Sequence, residues 1–322
     1  MKGILSFIEG PLDGDSWENL CNACYRMRYE SEHYTEIPAA YKGDAGIEGF
    51  TTTGVVTQCY APEKDFTDNE LYEHLRKKMT TDIGKLKKSD YRVRLENLGV
   101  PEIREWHFVI PFYNDSRIIE HAETKRKEIL GLKETYPDEY KHISSDFRIL
   151  IKCAENYRVE ITRIIRTTLT DVKLNFAILH TPVPNWDDCD SSKVENIKRK
   201  VRAIMGKVDE NNQEDYEDVV NMYIQAYIKG LDILRTLRVS YTEVYEDIFA
   251  LEQSYKKQVE LQTKMNTDSS INSTLFNQII DDFENKLRTE FAYLNSASIM
   301  ELKIDLVSGW LADCFMQFRG AI

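Results

Sequence analysis

Residues 43–60 read GDAGIEGFTTTGVVTQCY and combine four glycines with two carboxylates and a short apolar run. The pattern predicts a β-hairpin, with a first strand at 47–52, a turn at Thr53-Gly54 and a second strand at 55–60. Glycine tolerates a positive φ at little steric cost, so Gly43 and Gly46 allow a tight turn into the first strand.

The polar side chains of this hairpin are candidate metal ligands. A hairpin places the start of its first strand beside the end of its second strand, so Asp44, Glu48 and the side-chain oxygen of Gln58 can converge on one point. Hard divalent cations such as Mg2+ take oxygen ligands of this kind and keep several waters. The alternative is a glycine-rich turn whose acids only face water.

The stretch resembles the core of the Mrr-type restriction endonucleases, within the PD-(D/E)XK nuclease superfamily. Their pattern runs roughly Gly-x-Gly-x-Asp-Gly, a turn, and a strand ending Gln-x-Lys, after a helix whose opening is similar to Trp17-Glu18. The resemblance covers residues 15–180 in layout and the hairpin alone in sequence. It implies an α/β restriction-endonuclease-like core, with a mixed central sheet and flanking helices. It also implies a DNA-cutting enzyme of prokaryotic antiviral defence that uses Mg2+ or Mn2+.

Carried over residue by residue, the resemblance puts Glu48 in the place of the metal-binding Asp and Gln58 in the place of the second ligand. Tyr60 falls where the catalytic Lys belongs. Glu in place of Asp moves the carboxylate outward by one methylene group. Tyr in place of Lys removes the cation that would orient the attacking water, and Asp44 is left as a compensating metal ligand.

The missing lysine leaves the activity open between two interpretations. Lys42, Lys64 or a lysine of the next helix can supply the absent charge, and the chain is then a nuclease or a nuclease-derived effector. Without such a charge, the chain is a catalytically inactive scaffold or binding subunit that assembles with a partner protein. A third interpretation is a structural adaptor in which Asp44 and Glu48 point apart.

Length and composition favour two domains in a cytoplasmic protein. The chain has 322 residues, and we expect the nuclease-like α/β domain at 1–185 and a helical interaction domain at 193–322. No apolar run is long enough to span a bilayer, and residues 1–12 are too weakly apolar for a secretory signal, so no membrane partner is expected. The Cys21-x-x-Cys24 pair lacks the further ligands of a zinc site and is interpreted as buried thiols.

Charge is uneven along the chain. A net charge of −12 argues against a protein that coats DNA, because duplex binding depends on Lys and Arg. A local basic stretch nevertheless follows the hairpin, and it is either a solvated helix face or a track for a DNA backbone. Its candidate DNA-binding residues are Arg76, Lys77, Lys78, Lys85, Lys87 and Lys88.

Helical and extended patterns alternate around the hairpin. The spacing of apolar residues predicts helices at 15–29, 70–88, 117–136 and 157–168, and strands at 104–113 and 147–153. Strand, helix and strand at this spacing indicate βαβ units and a central mixed sheet. Asp15 and Glu18 form a capping box at the start of the first helix. Glu18 either points to the metal site or serves the cap only, and we favour the cap. The histidines of this region show no metal-ligand spacing and receive no role.

The last third of the chain has helical periodicity throughout. We predict helices at 193–206, 214–239, 241–266, 272–294 and 297–318, which together make a helical bundle or a long helical hairpin. Residues 201–322 carry 12 Lys and Arg against 20 Asp and Glu, a net charge of −8. Such an acidic domain favours a protein partner or a homo-oligomer over a nucleic acid.

Overall fold

The computed structural model describes residues 3–10, 12, 14–38, 46–62, 66–168, 172–177, 190–313 and 315–320. The chain divides into two compact units, Met1–Val172 and Lys173–Ile322. The first unit contains a mixed sheet with flanking helices, and the second is rich in helix. The predicted combination of a mixed α/β region followed by a helical region is therefore confirmed at this level.

A five-stranded sheet forms the centre of the first unit, and its strands lie side by side in chain order. Strands β1, β2 and β3 pair antiparallel, and β3, β4 and β5 pair parallel. In the parallel part, Thr57 lies opposite His107 and Gln58 lies opposite Phe108. The strands are β1 (Thr35–Glu36), β2 (Gly49–Phe50), β3 (Val55–Cys59), β4 (Ile103–Ile110) and β5 (Ile143–Cys153).

The hairpin is present, with a first strand shorter than the predicted 47–52. Only Gly49–Phe50 has regular strand geometry, but Glu48 still pairs through its backbone with Ile37 (2.8 Å) and Thr57 (2.7 Å). Tyr34 explains the glycine at 49, because a Cβ there would lie 2.2 Å from the Tyr34 hydroxyl. The turn requires Gly54, which has a φ of +92° and whose Cβ would lie 2.3 Å from the Glu102 carbonyl oxygen.

Five helices flank the sheet in the described part of the first unit. The prediction of one helix at 70–88 was wrong at its end, because the chain turns after Lys85 and forms a separate short helix. Thr67 and Glu70 make a complete capping box at the start of α2. The helices are α1 (Gly14–Arg28), α2 (Asp68–Lys85), α3 (Ser89–Asn97), α4 (Arg117–Thr135) and α5 (Arg158–Thr167).

The two faces of β4 pack against different helices, because successive side chains of a strand point to opposite faces. Trp106 and Phe108 lie in the main apolar core, together with Leu75 and Met79 of α2. On the other face, the Trp17 indole of α1 donates a hydrogen bond to the Val109 carbonyl oxygen at 3.3 Å. The sheet is thus covered on both sides, as the near-continuous apolar sequence of β4 predicts.

The second unit is built from helices, and its aromatic C-terminal region is part of its core. Trp310 is fully buried, with its ring centroid 4.6 Å from that of Phe283 and 5.8 Å from that of Tyr255. The last helix ends at Ala312, so the predicted end at 318 was wrong. The helices are α6 (Ser191–Met205), α7 (Gln213–Ser240), α8 (Thr242–Met265), α9 (Asn272–Glu290) and α10 (Ser296–Ala312). Among the described residues, no helix has the length and apolarity needed to cross a membrane.

Candidate functional site

Glu48 and Gln58 lie side by side in the interior of the hairpin. Their exposed fractions are 4% and 1%, and Gln58 Nε2 donates a hydrogen bond to Glu48 Oε1 at 2.5 Å. The contact follows from the antiparallel pairing, in which the Glu48 amide donates to the Thr57 carbonyl oxygen, one residue before Gln58. Two of the three predicted metal ligands are therefore brought together, and Asp44 lies outside the described residues.

The amide oxygen of Gln58 is an acceptor that could still bind a ligand. Its Oε1 is buried and has no hydrogen-bond partner in the described part of the chain. The Nε2 group is occupied, because it also donates to the Cys59 carbonyl oxygen at 3.3 Å. A buried acceptor without a partner destabilises a fold by about 1–3 kcal/mol. An oxygen-preferring cation would satisfy this acceptor, and the neighbouring Glu48 carboxylate supplies the charge.

An open cleft of about 910 Å³ lies against Glu48, and Gln58 is buried beside Glu48 without lining the cleft itself. The cleft is lined by the start of α1, by Glu48 and the end of β3, and by α2 and the segment before it. The residues that line the cleft are Gly14, Asp15, Glu18, Glu48, Cys59, Tyr60, Ala61, Phe66, His74 and Lys78.

Glu18 lines the cleft, where the sequence analysis had assigned it to a helix cap. The helix begins at Gly14, so Asp15 lies inside the first turn and the predicted capping box at 15–18 was wrong. Glu18 is one turn further along α1 and adds its carboxylate to those of Asp15 and Glu48 in the cleft. Within the described residues, no three His, Cys, Asp or Glu side chains are close enough to form a metal site by themselves. The described candidate ligands are thus three carboxylates and the buried Gln58 oxygen beside Glu48.

Lys78 brings a positive charge to the cleft beside Tyr60. Tyr60 is half-buried at the cleft, and the Lys78 ammonium lies 5.9 Å from the centre of its ring. Lys78 is on α2, so a lysine of the next helix lies at the cleft beside Tyr60. The other two candidates, Lys42 and Lys64, lie outside the described residues.

A buried carboxylate holds Lys78 in place. Asp82 has an exposed fraction of 0%, and it lies 3.1 Å from the Lys78 ammonium and 3.0 Å from the Lys85 ammonium. The stem of Lys85 packs over Gly46, where an added Cβ would lie 2.7 Å from the Lys85 Cδ. The Lys78–Asp82–Lys85 triad therefore connects the cleft to the chain that leads into Glu48.

The predicted basic track is largely compensated by acids. Lys87 pairs with Glu128 at 2.9 Å and Arg76 pairs with Glu73 at 3.0 Å, in addition to the two lysines on Asp82. Lys77 and Lys88 make no ion pair with a described residue, and the Lys88 ammonium lies 5.7 Å from the centre of the Tyr91 ring. Of the six predicted residues, only Lys78 lines the cleft.

His74 is a cleft residue that the sequence analysis missed. It is exposed, its ring centroid lies 4.1 Å from that of Phe66, and it precedes Lys78 by one helical turn. The available signal was the spacing of four residues between His74 and Lys78, which puts both on one face of a helix. It was not decisive, because the same spacing on an exposed helix face is common.

The histidine and the cysteines that the sequence analysis considered next are buried in the first unit, away from the lining of the cleft. His107 is buried on the α1 face of the sheet, with Nδ1 2.7 Å from the Tyr25 hydroxyl and Nε2 2.8 Å from Glu105 Oε2. Cys21 and Cys24 are buried as well, and burial raises the pKa of the Cys24 thiol to about 12. A thiol with so high a pKa is neither a reactive nucleophile nor a ready metal ligand.

No family model matches the chain, no curated protein matches it, and no solved structure matches it.

Proposed function

We propose that the chain is a metal-dependent nuclease with a restriction-endonuclease-like core, acting in the cytoplasm in prokaryotic defence against foreign DNA. The observation that carries the proposal is the position of Lys78. It lines the same cleft as Glu48 and Glu18 and lies over Tyr60, the residue that stands in the lysine position of the resemblance. The cleft brings together carboxylates and a cation, and the buried Gln58 amide oxygen lies beside Glu48; these are groups that metal-assisted phosphodiester cleavage uses.

The order of the elements supports the same proposal. The helix with Trp17-Glu18 comes first, the hairpin with Glu48 and Gln58 follows, and a helix and parallel strands complete a mixed sheet. This order agrees with the layout that the resemblance implies over residues 15–180. The agreement concerns architecture, and the activity has to be argued from the cleft.

Glu48 and Gln58 Oε1 would hold the cation, with Glu18 within the same cleft and Asp44 as the further predicted ligand. Mg2+ or Mn2+ supplies Lewis acidity toward a phosphoryl oxygen and lowers the pKa of a bound water. The hydrogen bond from Gln58 Nε2 fixes the Glu48 carboxylate and leaves the amide oxygen directed away from that contact. Lys78 places an ammonium beside the cleft, where it attracts a phosphate and opposes the negative charge of Glu18 and Glu48.

The experiment is metal-dependent cleavage by the purified full chain. Plasmid, linear duplex, single-stranded DNA and RNA are incubated with Mg2+ or Mn2+ and compared with EDTA. Wild type should cut only with metal, and Glu48→Ala and Lys78→Ala should each reduce the rate about 100-fold or more, the scale for losing one preorganised charge. Lys77→Ala is the matched control, because Lys77 is on the same helix but does not line the cleft.

The second candidate function is a catalytically inactive scaffold or binding subunit that assembles with a partner protein. Tyr60 in the lysine position favours it, as does the acidic helical region from residue 201 onward. In this case the wild type shows no metal-dependent cutting, and the full chain retains a protein partner or a second copy in affinity capture. Cutting that disappears in Lys78→Ala and persists in Lys77→Ala would exclude this candidate.

A further inference from the structure

The cleft is lined by aromatic rings next to the Lys78 ammonium. We define the aromatic rim as Tyr60, Phe66 and His74. Phe66 and His74 are in ring contact, with centroids 4.1 Å apart and planes inclined by 31°. His74 is exposed, while Tyr60 and Phe66 are half-buried and rest on the core. The rim thus presents ring surface to the cleft from a fixed base.

The aromatic rim and the Lys78 ammonium are spaced for one nucleotide. His74 and Lys78 are one turn of α2 apart, which corresponds to about 5.4 Å along the helix axis. The base and the phosphate of one nucleotide are separated by its sugar, a distance comparable to one helical turn, so a base on the rim can place its phosphate near Lys78. The Lys78 ammonium is also 5.9 Å from the centre of the Tyr60 ring, which joins the two features into one surface.

The form of the nucleic acid follows from this arrangement. In a duplex the faces of the bases are covered by their neighbours, so rings that line a cleft can stack only on a base that is unpaired or extruded. Aromatic platforms beside a cationic groove are the usual means of binding single strands. The acids that line the same cleft, Asp15, Glu18 and Glu48, repel a phosphate backbone unless a cation lies between them and the phosphates.

We propose that the cleft binds an unpaired nucleotide of a single-stranded nucleic acid, with its base on the aromatic rim and its phosphate at Lys78. This inference rests on the proposed function and narrows its substrate class from nucleic acid in general to single strands, frayed ends or extruded bases. Divalent metal is required for tight binding, because it neutralises the carboxylates of Asp15, Glu18 and Glu48.

The test measures binding separately from cleavage. The full chain is titrated into fluorescently labelled single-stranded DNA, single-stranded RNA and duplex DNA of the same sequence, and anisotropy is followed with Ca2+ and with EDTA. Single strands should bind more tightly than duplex and only with Ca2+. Phe66→Ala and His74→Ala should each weaken single-strand binding about tenfold, within the range for losing one base–aromatic stack. His74→Phe should retain binding, since it keeps the ring.

Matched controls keep the result interpretable. Phe112→Ala removes an exposed phenylalanine and His121→Ala a histidine, and neither residue lines the cleft, so both variants should bind as wild type. Thermal unfolding of every variant verifies that it is folded. The DNA and RNA arms distinguish the two sources of a single strand, and tighter binding of either one supports the inference.

The two proposals fail separately. Equal affinity for duplex and single strand, or normal single-strand binding by Phe66→Ala and His74→Ala, overturns the inference even if Glu48→Ala abolishes cleavage. The opposite result is a wild type that cuts no nucleic acid but binds single strands, with this binding weakened in His74→Ala. That result would support the aromatic rim as a binding site and count against the nuclease function.

Discussion

Gln58 Nε2 donates a hydrogen bond to Glu48 Oε1 across 2.5 Å, and both side chains are buried. The amide can direct only one of its ends toward a given partner, so this contact determines which atom remains for a ligand. It is Oε1, which has no hydrogen-bond partner among the described residues. The fixed Glu48 carboxylate and the Gln58 oxygen are therefore two candidate ligands for a cation, and we call them the half-site.

Replacing Gln58 tests that half-site without measuring cleavage. In Gln58→Leu the amide oxygen is lost and Glu48 loses a buried donor, so we expect a loss of about 1–3 kcal/mol in the free energy of unfolding. The stabilisation of wild type by Mg2+ over EDTA should also disappear, since ligand binding to the folded state raises its stability. Gln58→Glu puts two carboxylates side by side and should make the stabilisation by Mg2+ larger than in wild type. Equal responses to Mg2+ in all three proteins would contradict the predicted ligand role.

We predict that Asp82 affects the free energy of unfolding through its ion pairs with Lys78 and Lys85. Removing both lysines leaves Asp82 as a buried charge without its two ion-pair partners, which destabilises a fold by about 3–5 kcal/mol. The triple variant that adds Asp82→Asn should recover most of that loss, because no buried charge remains. Chemical denaturation of the single, double and triple variants measures the coupling. Additive effects would show that the triad is not an energetic unit.

Stability should fall in mild acid because of His107. Burial lowers the pKa of His107 in the folded protein below its ordinary value. The unfolded chain takes up this proton near pH 6.5 and the folded chain only at lower pH, so this stability is fully present above about pH 6.5 and declines below it. Protonated Nδ1 can no longer accept the hydrogen bond from Tyr25, which links α1 to the sheet.

The measurement is the thermal midpoint from pH 8 down to about pH 5, which brackets the ordinary histidine pKa. His107→Gln should be less stable at neutral pH and should show a shallower decline toward acid. Some decline remains, because burial lowers the pKa of His142 in the same direction. An unchanged slope in His107→Gln would assign the acid sensitivity to other groups. The Glu105 pKa is lowered by its hydrogen bond to His107, so its share of the stability is lost only at still lower pH.

Lys200 is predicted to stabilise the end of the last helix. It is fully buried, and its ammonium donates to the Trp310 carbonyl oxygen at 3.1 Å and to the Asp313 carbonyl oxygen. Lys200→Met keeps the stem and removes these charged donors, so we expect a loss of about 1.5–3 kcal/mol in the free energy of unfolding. Lys198→Met is the control, because Lys198 only pairs with Glu195 on the surface at 3.0 Å. Similar losses in both variants would contradict the capping role.

The hairpin and the contact between its two candidate ligands were predictable because their pattern is local. Glu48 and Gln58 are ten residues apart across one turn, and the alternation of a strand fixes which side chains can meet. Glu18 and Lys78 were not assigned to the cleft, because each arrives on a helix whose position depends on packing across the whole sheet. The residue pattern of α1 fits a cap and a ligand equally well, and only its actual first residue, Gly14, decides between them.

The helix after the hairpin shows the same limit in its secondary structure. Residues 70–88 have helical spacing to the end, yet α2 stops at Lys85, where the Leu86 amide bonds the Ile83 carbonyl oxygen instead of continuing the helix. Leu86 is buried in the core at this point, so tertiary packing overrides the local preference.

One buried carboxylate paired with two lysines has a consequence for the mobility of Lys78. If a phosphate of the proposed substrate drew Lys78 away from Asp82, Lys85 would still neutralise Asp82 at 3.0 Å. Lys78 could then leave and return without exposing a buried charge that has no partner. A simple ion pair between two residues lacks this property, because moving its one cation leaves the carboxylate unneutralised.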